Sequence, residues 1–133
     1  MMIRLNISSG SPWEPIIGYS RAVKIGPWIA VSGTTATGPT GTLVGIGSVE
    51  DQTRQALSNL QKALQKAGAD LQDVIRTRLF VKDISEWEKI ARVHGSFFET
   101  IRPATTLVQV SAFIDPEMLI EIEADAFVSA ESN

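Results

Sequence analysis

Hydrophobic and polar residues alternate most regularly near the end of the chain, between Met118 and Phe127. The hydrophobic side of this run consists of Met118, Ile120, Ile122, Ala124 and Ala126. A period of two predicts a strand with one face on a hydrophobic core. The other side carries Leu119, Glu121, Glu123, Asp125 and Phe127. Like charges in a row repel each other, so these carboxylates are expected to face water or a row of cations.

Similar patterns predict the other strands. Residues 3–7 form a short edge strand, and residues 19–25 and 28–34 form a hairpin that turns at Gly26-Pro27. Residues 102–126 supply the last two strands. In the strand predicted over residues 71–82, one side carries Ile75, Thr77, Leu79 and Val81. The opposite side carries Arg76, Arg78, Phe80 and Lys82, a cationic row that could neutralise the carboxylates.

Two segments between these strands have the apolar stripe of an amphipathic helix. The first is expected to start at Ser48 as N-cap, and Gly68 closes it as a residue suited to a left-handed backbone. The second is expected to start at Ser85, with Glu88 completing a capping box, and to end before Pro103.

The order of elements predicts an α+β fold in one domain that spans residues 1–133. Two amphipathic helices can cover one face of a sheet of four to six strands. The other face keeps its charged rows, which a single domain cannot cover. Self-association is therefore expected, with the Arg/Lys rows and the carboxylate rows of packed sheets pairing with each other.

Composition excludes several classes of function. The formal net charge of −3 gives no general electrostatic case for binding nucleic acid or an acidic membrane. The chain has no cysteine, so disulfides, thiolate catalysis and cysteine-ligated zinc are excluded, and its single histidine argues against any zinc site built by the protein. No stretch approaches the ~20 apolar residues of a membrane span. A cytoplasmic location is expected.

Several segments resemble the Rid family, the YjgF-like reactive intermediate/imine deaminases formerly called endoribonuclease L-PSP. They are RPATTLVQVSAFIDPEMLIEIEADA, the SGT strand end, ALSNLQKALQKAGA and DVIRTRLFVKDISEW. The resemblance covers nearly the whole chain in the expected order. It implies a chorismate-mutase-like fold, with a mixed sheet of about six strands and two helices packed on one face. It also implies a homotrimer that binds small molecules in clefts between subunits and needs no cofactor.

The resemblance assigns roles to individual residues. The family's water-activating Glu matches Glu121, its cleft Tyr matches Tyr19, and its strand-end Gly matches Gly33. In deaminase members an Arg follows the Pro-Ala pair and binds the substrate carboxylate, but Thr105 stands at that position here. A hydroxyl cannot replace a guanidinium that forms two charge-assisted hydrogen bonds. The threonine at this position therefore argues against an enzyme that simply deaminates 2-imino acids.

Another cation could supply the missing charge. Arg21 lies two residues after Tyr19, so a regular strand would place both on one face. The hypothesis is that Tyr19, Arg21, Thr105 and Glu121 line the cleft and that Arg21 binds the anion. Arg102, three residues before Thr105, is the other candidate.

Three functions follow from these residues. The first is a hydrolase that deaminates an enamine, an imine or a related reactive metabolite, with Glu121 as general acid/base. The second is a trimer that binds small ligands without catalysis, as a sensor or partner protein; in that case Glu121 pairs with Arg76 or Arg78. The third and weakest is an endoribonuclease, because no RNA-binding motif accompanies the negative net charge. The physiological substrate does not follow from the sequence.

Overall fold

The computed structural model describes residues 2–129. Its six strands are β1 (Arg4–Ile7), β2 (Ala22–Ile25), β3 (Trp28–Thr34), β4 (Val74–Val81), β5 (Ala104–Gln109) and β6 (Ile120–Phe127). They form one sheet in the order β1-β2-β3-β6-β4-β5. Strands β4 and β5 are parallel, and the other neighbouring pairs are antiparallel. The strand with the clearest alternation, β6, therefore lies in the interior of the sheet.

Two helices, α1 (Val49–Lys66) and α2 (Trp87–Phe98), pack against one face of this sheet. The core between the layers contains the buried side of β6, namely Ile120, Ile122, Ala124 and Ala126, together with Leu57, Leu60 and Leu64 of α1. The predicted α+β fold, with one six-stranded sheet and both helices on one face, is confirmed. No helix within residues 2–129 is long and apolar enough to cross a membrane.

The start of α1 is confirmed, whereas the predicted start of α2 is wrong. Ser48 caps α1, because its hydroxyl oxygen accepts a hydrogen bond from the backbone N–H of Asp51. The chain before α2 is instead capped by Asp83, whose carboxylate accepts from the Ser85 N–H at the start of a short 3-10 turn. Asp and Ser are comparable caps, but the Ser85 hydroxyl here donates to the Asp83 carboxylate at 2.7 Å and does not accept from the first turn of α2. Helix α2 then starts at Trp87.

The predicted sidedness of β4 is wrong at its first residues. The pairing of β4 with β6 shifts register between Val74 and Arg76, so that Val74 is buried and Ile75 is exposed. A bulge inserts one residue and thereby moves the side chains before it to the opposite face. From Arg76 onward the alternation is as predicted, with Thr77, Leu79 and Val81 in the core.

The face away from the helices, called here the open face, carries the charged rows. Strands β4 and β6 are neighbours, so part of the charge is neutralised within one chain. Arg78 Nη1 lies 3.6 Å from Glu123 Oε1 and 3.3 Å from Asp125 Oδ2. Glu121 lies opposite Phe80 instead of an arginine. The predicted pairing of the cationic row with the carboxylates is therefore confirmed for Glu123 and Asp125 within one chain, and pairing between copies stays a prediction.

Candidate functional site

Glu121 occupies the open face near the start of β6 and is half-buried. Burial is the largest influence on its carboxyl group and raises its pKa above the ordinary value of 4.5. The positive charge of Arg21 lowers the pKa and the negative charge of Glu123 raises it, but the net shift is upward. A carboxyl group whose pKa is raised toward neutrality can both accept and return a proton.

Gly33 allows the backbone of β3 to approach the Glu121 side chain. A Cβ atom at position 33 would lie 2.7 Å from Glu121 Cδ and 3.0 Å from Oε1, well inside van der Waals contact. The pairing of β3 with β6 is irregular between Val31 and Thr34, and this irregularity brings the segment over the carboxyl group. Position 33 is therefore occupied by glycine because any larger residue would displace the Glu121 carboxylate.

Arg21 connects the same strand end to Tyr19. Its Nη1 donates to the Gly33 carbonyl oxygen at 2.6 Å and to Thr34 Oγ1 at 3.3 Å. Its Nη2 donates to the Tyr19 hydroxyl at 3.1 Å, and the guanidinium carbon lies 5.4 Å from the centre of the Tyr19 ring. The structure thus brings Tyr19, Arg21, Gly33 and Glu121 together. Much of the hydrogen-bonding capacity of Arg21 is used to hold β3, so anion binding by Arg21 stays a prediction.

Tyr19 and Arg21 meet without the regular strand that the sequence predicted. A helical turn over Glu14–Gly18 precedes them, Gly18 has a φ of +85°, and β2 begins only at Ala22. Glu14 in this turn is buried, and its Oε2 accepts hydrogen bonds from the Ser9 N–H and hydroxyl at 3.0 and 2.7 Å. Burial opposes ionisation of Glu14, but the hydrogen bonds outweigh it and lower its pKa. The turn leads directly into Tyr19, whose backbone N–H donates to the Glu14 carbonyl oxygen at 3.0 Å.

Thr105 does not join this group within one chain. Its position in β5 is paired with Thr77 of β4, and both hydroxyls lie on the helix side of the sheet, 2.8 Å apart. Glu121 lies on the open face. A cleft that contains both residues therefore requires two copies of the chain.

Arg102 lies on the helix side as well. It lines an open cavity of about 330 Å³ with His94, Gly95, Phe98, Glu99 and Pro103. Its φ of 55° falls in the left-handed region, where residues other than glycine are uncommon and often mark functional loops. Arg102 is thus separated from Glu121 by the sheet and does not serve the same carboxylate within one chain.

His94 is the polar residue whose role the sequence did not reveal. Its Nε2 lies 2.9 Å from the buried Thr77 hydroxyl, and its ring lies 4.7 Å from the Phe98 ring, centroid to centroid. Burial lowers its pKa, so His94 is expected to be neutral at physiological pH. The available signal was Thr77 itself, because a polar residue on the core side of a strand needs a hydrogen-bond partner.

Comparisons with known proteins match nearly the whole chain. The sequence pattern of the family described as endoribonuclease L-PSP matches residues 10–128. An uncharacterized protein of Streptomyces coelicolor is 36% identical over 124 residues, which cover 93% of this chain and 92% of the relative. The rat 2-iminobutanoate/2-iminopropanoate deaminase is 33% identical over 125 residues, covering 94% of this chain and 90% of that enzyme.

The fold has a similar match among solved structures. The crystal structure of Rv2704 from Mycobacterium tuberculosis, described as a member of the YjgF/YER057c/UK114 family, has a TM-score of 0.86 and 48% sequence identity. The match covers 95% of this chain and 100% of that one. Sequence and architecture therefore lead to the same group of proteins.

Proposed function

The chain belongs to the endoribonuclease L-PSP family, and from this premise we propose that it is a hydrolase that deaminates a small enamine or imine. The observation that carries the proposal is the Glu121 carboxyl group, half-buried against Gly33 with a raised pKa. Relatives in the family include the rat 2-iminobutanoate/2-iminopropanoate deaminase, so the chemistry has a precedent. No cofactor is needed for this reaction, because water attacks an already electrophilic carbon.

In this reaction Glu121 transfers protons from oxygen to the imine nitrogen. The ionised carboxylate takes a proton from water while the water oxygen bonds to the imine carbon, and the electron pair of the C=N bond moves to nitrogen. The same proton then passes from Glu121 to nitrogen, which gives a carbinolamine. The carboxylate next takes the proton of the carbinolamine hydroxyl and delivers it to nitrogen, so that ammonia leaves while the carbon–oxygen double bond forms. The balance is imine plus water to ketone plus ammonia. A raised pKa makes these proton transfers easier near neutral pH.

The proposed cleft lies between subunits of a homotrimer. Thr105 and Glu121 lie on opposite faces of one sheet, so Glu121 of one subunit meets Thr105 of the next, and Tyr19, Arg21 and Gly33 complete the wall beside Glu121. The open face also exposes an apolar patch that an assembly would bury. Trp28 and Phe127 stack edge to face at 5.0 Å and remain 53% and 40% exposed, and Ile25 lies opposite Trp28 in the hairpin.

Imine hydrolysis tests this proposal directly. A dehydratase acting on serine or threonine generates 2-aminoacrylate or 2-iminobutanoate, and semicarbazide traps the imine that remains. We expect the wild type to reduce the trapped imine and Glu121→Gln to lose about 10²- to 10⁴-fold in rate, the usual contribution of a general acid/base. Glu123→Gln is the matched control, because it removes a carboxylate from the same face of β6 and should keep the activity. Equal rates for wild type and Glu121→Gln, both with these imino acids and with the corresponding imino amides, would refute the proposal.

A second candidate is a trimer that binds small ligands without catalysis. The observation in its favour is Thr105, which stands where the deaminases have the arginine that holds the substrate. Binding of 2-oxobutanoate with the same affinity to wild type and Glu121→Gln, without any imine hydrolysis, would support this function. The endoribonuclease activity in the family description is the weakest alternative, since the chain has a net charge of −3. RNA binding that weakens steeply with salt would be needed to support it.

A further inference from the structure

A chain of hydrogen bonds runs from α2 through the core to the edge strand β5. His94 Nε2 lies 2.9 Å from Thr77 Oγ1, and Thr77 Oγ1 lies 2.8 Å from Thr105 Oγ1. Thr105 Oγ1 in turn lies 3.0 Å from the Pro103 carbonyl oxygen. Thr77 is fully buried, His94 is half-buried and Thr105 is exposed. The chain therefore connects a fixed interior to a hydroxyl that a ligand can reach.

The direction of every bond follows from counting protons. A carbonyl oxygen can only accept, so Thr105 must donate its single hydroxyl proton to Pro103. Thr105 then accepts a hydrogen bond from Thr77, and this bond uses the single hydroxyl proton of Thr77. Thr77 can therefore only accept from His94, whose Nε2 must carry a proton. The same count also runs from the other end: a His94 N–H leaves Thr77 able to donate only to Thr105, and the Thr77 proton leaves Thr105 able to donate only to Pro103. His94 and Thr77 are in this sense positioning residues that act through Thr105.

This direction decides what Thr105 can offer to a ligand. Its proton is engaged with Pro103 and one lone pair is engaged with Thr77, so the other lone pair is available. The exposed hydroxyl is a hydrogen-bond acceptor. A carboxylate also presents only acceptors and gains nothing from this hydroxyl, whereas an N–H or O–H group does.

We propose that the end of the ligand that meets Thr105 is an uncharged hydrogen-bond donor, such as a carboxamide, instead of a carboxylate. This inference rests on the proposed function, which places Thr105 in the cleft. It defines the substrate class as small imines or enamines that carry an amide or hydroxyl group at that end. The chain of hydrogen bonds from His94 sets this preference by keeping the Thr105 proton turned away from the ligand.

Two nearly isosteric probes test the preference. Pyruvamide and pyruvate differ only in NH₂ against O⁻, and their affinities can be measured by NMR titration of the intact protein. We expect the wild type to prefer pyruvamide and Thr105→Val to weaken pyruvamide binding roughly threefold to tenfold, the usual effect of one hydrogen bond, with little change for pyruvate. Thr105→Ser should keep the preference and Thr105→Arg should reverse it. Tighter or equal binding of pyruvate by the wild type, or no binding of either probe, would overturn the inference.

The state of His94 gives a readout that does not depend on ligands. The chain has one histidine, so a ¹⁵N correlation spectrum of the imidazole shows a single ring and its tautomer can be read without assignment. We expect the neutral form protonated on Nε2. His94→Phe removes that donor while keeping a flat ring, and the ratio of pyruvamide to pyruvate affinity should fall toward that of Thr105→Val. A neutral form protonated on Nδ1, or an unchanged ratio in His94→Phe, would refute the positioning role.

These outcomes separate the inference from the proposed function. Imine hydrolysis that depends on Glu121, together with a preference for pyruvate, would keep the hydrolase and reject the ligand class. A preference for pyruvamide and the Nε2 tautomer, without hydrolysis of any imine, would reject the hydrolase and keep the ligand class for a binding protein.

Discussion

The position of the Glu121 carboxylate depends on a neighbour that has no side chain. Gly33 lies so close to Glu121 that an added Cβ would contact the carboxyl carbon at 2.7 Å. The Gly33 carbonyl oxygen is held at the same time by the Arg21 guanidinium at 2.6 Å. Arg21 therefore fixes the backbone, and the backbone limits the space in which the Glu121 carboxylate lies.

Replacing Gly33 by alanine should reduce catalysis without unfolding the protein. The new methyl group would push the far end of the Glu121 side chain, which can move at little cost in free energy. A displacement of about 1 Å is enough to cost roughly 10²-fold in rate when a catalytic group must meet the substrate. We expect Gly33→Ala to lower the rate of imine hydrolysis by about that factor and to leave the melting temperature within a few degrees.

Gly95→Ala is the control for this change. An added Cβ at Gly95 would meet no atom within 4 Å, and the position lies inside α2, where alanine is favoured over glycine. The rate should stay at the wild-type value. A Gly33→Ala protein as active as wild type would show that the close approach does not place the carboxylate.

At the scale of elements, the two helix starts differ in whether a serine side chain caps the helix. The hydroxyl of Ser48 accepts from the Asp51 N–H at 3.2 Å and satisfies one of the free donors in the first turn of α1. Ser85 instead donates its hydroxyl proton to Asp83, and Asp83 also accepts from the Ser85 backbone N–H. Only the first serine is a cap.

Substituting each serine by alanine should separate these roles. Ser48→Ala is expected to lower the free energy of unfolding by about 1 kcal/mol, since it leaves an N–H of the first turn without its side-chain acceptor. Ser85→Ala should change it by less than about 0.5 kcal/mol, because Asp83 still accepts from the backbone. Urea titration of both proteins gives the comparison. A larger loss in Ser85→Ala than in Ser48→Ala would contradict the assignment of the caps.

The elements could be predicted from the sequence because their patterns are local. The period of two in β6 and the apolar stripes of the helices depend only on neighbours along the chain, and the fold follows from them. The bulge in β4 could not be predicted, because the shift between Val74 and Arg76 arises from pairing with β6. In the same way, the contact of His94 with Thr77 joins residues that are distant in sequence.

The residues of the candidate site were predicted from the family resemblance, but their arrangement was not. Tyr19 and Arg21 were expected on one strand face, and they meet through a turn instead. The opposite orientation of Thr105 and Glu121 could not be predicted, since it depends on how β5 and β6 each pair with β4. The alternation along one strand shows which of its residues share a face. It does not show which residues of another strand lie on the same face of the sheet.

At the scale of the whole molecule, the separation of Thr105 from Glu121 predicts that the working site is shared between subunits. Thr105→Trp should block the cleft at β5, and Glu121→Gln should remove the proton shuttle, so each variant alone is expected to be inactive. Mixed assemblies contain clefts in which an intact Glu121 from one subunit faces an intact Thr105 from another. Co-refolding the two variants should therefore restore part of the activity.

The composition of the mixed assemblies can be checked by native mass spectrometry. Wild type is expected to be a trimer at micromolar concentration. Recovered activity that rises with the fraction of mixed trimers would support the shared cleft. Mixed trimers without activity, or a monomeric wild type, would contradict it.

The pH dependence of imine hydrolysis shows whether Glu121 acts as the general acid/base. The carboxylate must be ionised to take a proton from water, and burial raises its pKa above 4.5, so the catalysed rate should fall on acidification with a midpoint above that value. The rate is measured after mixing a preformed imine with protein over a range of pH values and subtracting the uncatalysed rate. We expect this acidic fall in rate in wild type and in Glu123→Gln, and we expect none in Glu121→Gln. The same pH profile in wild type and Glu121→Gln would contradict this role of Glu121.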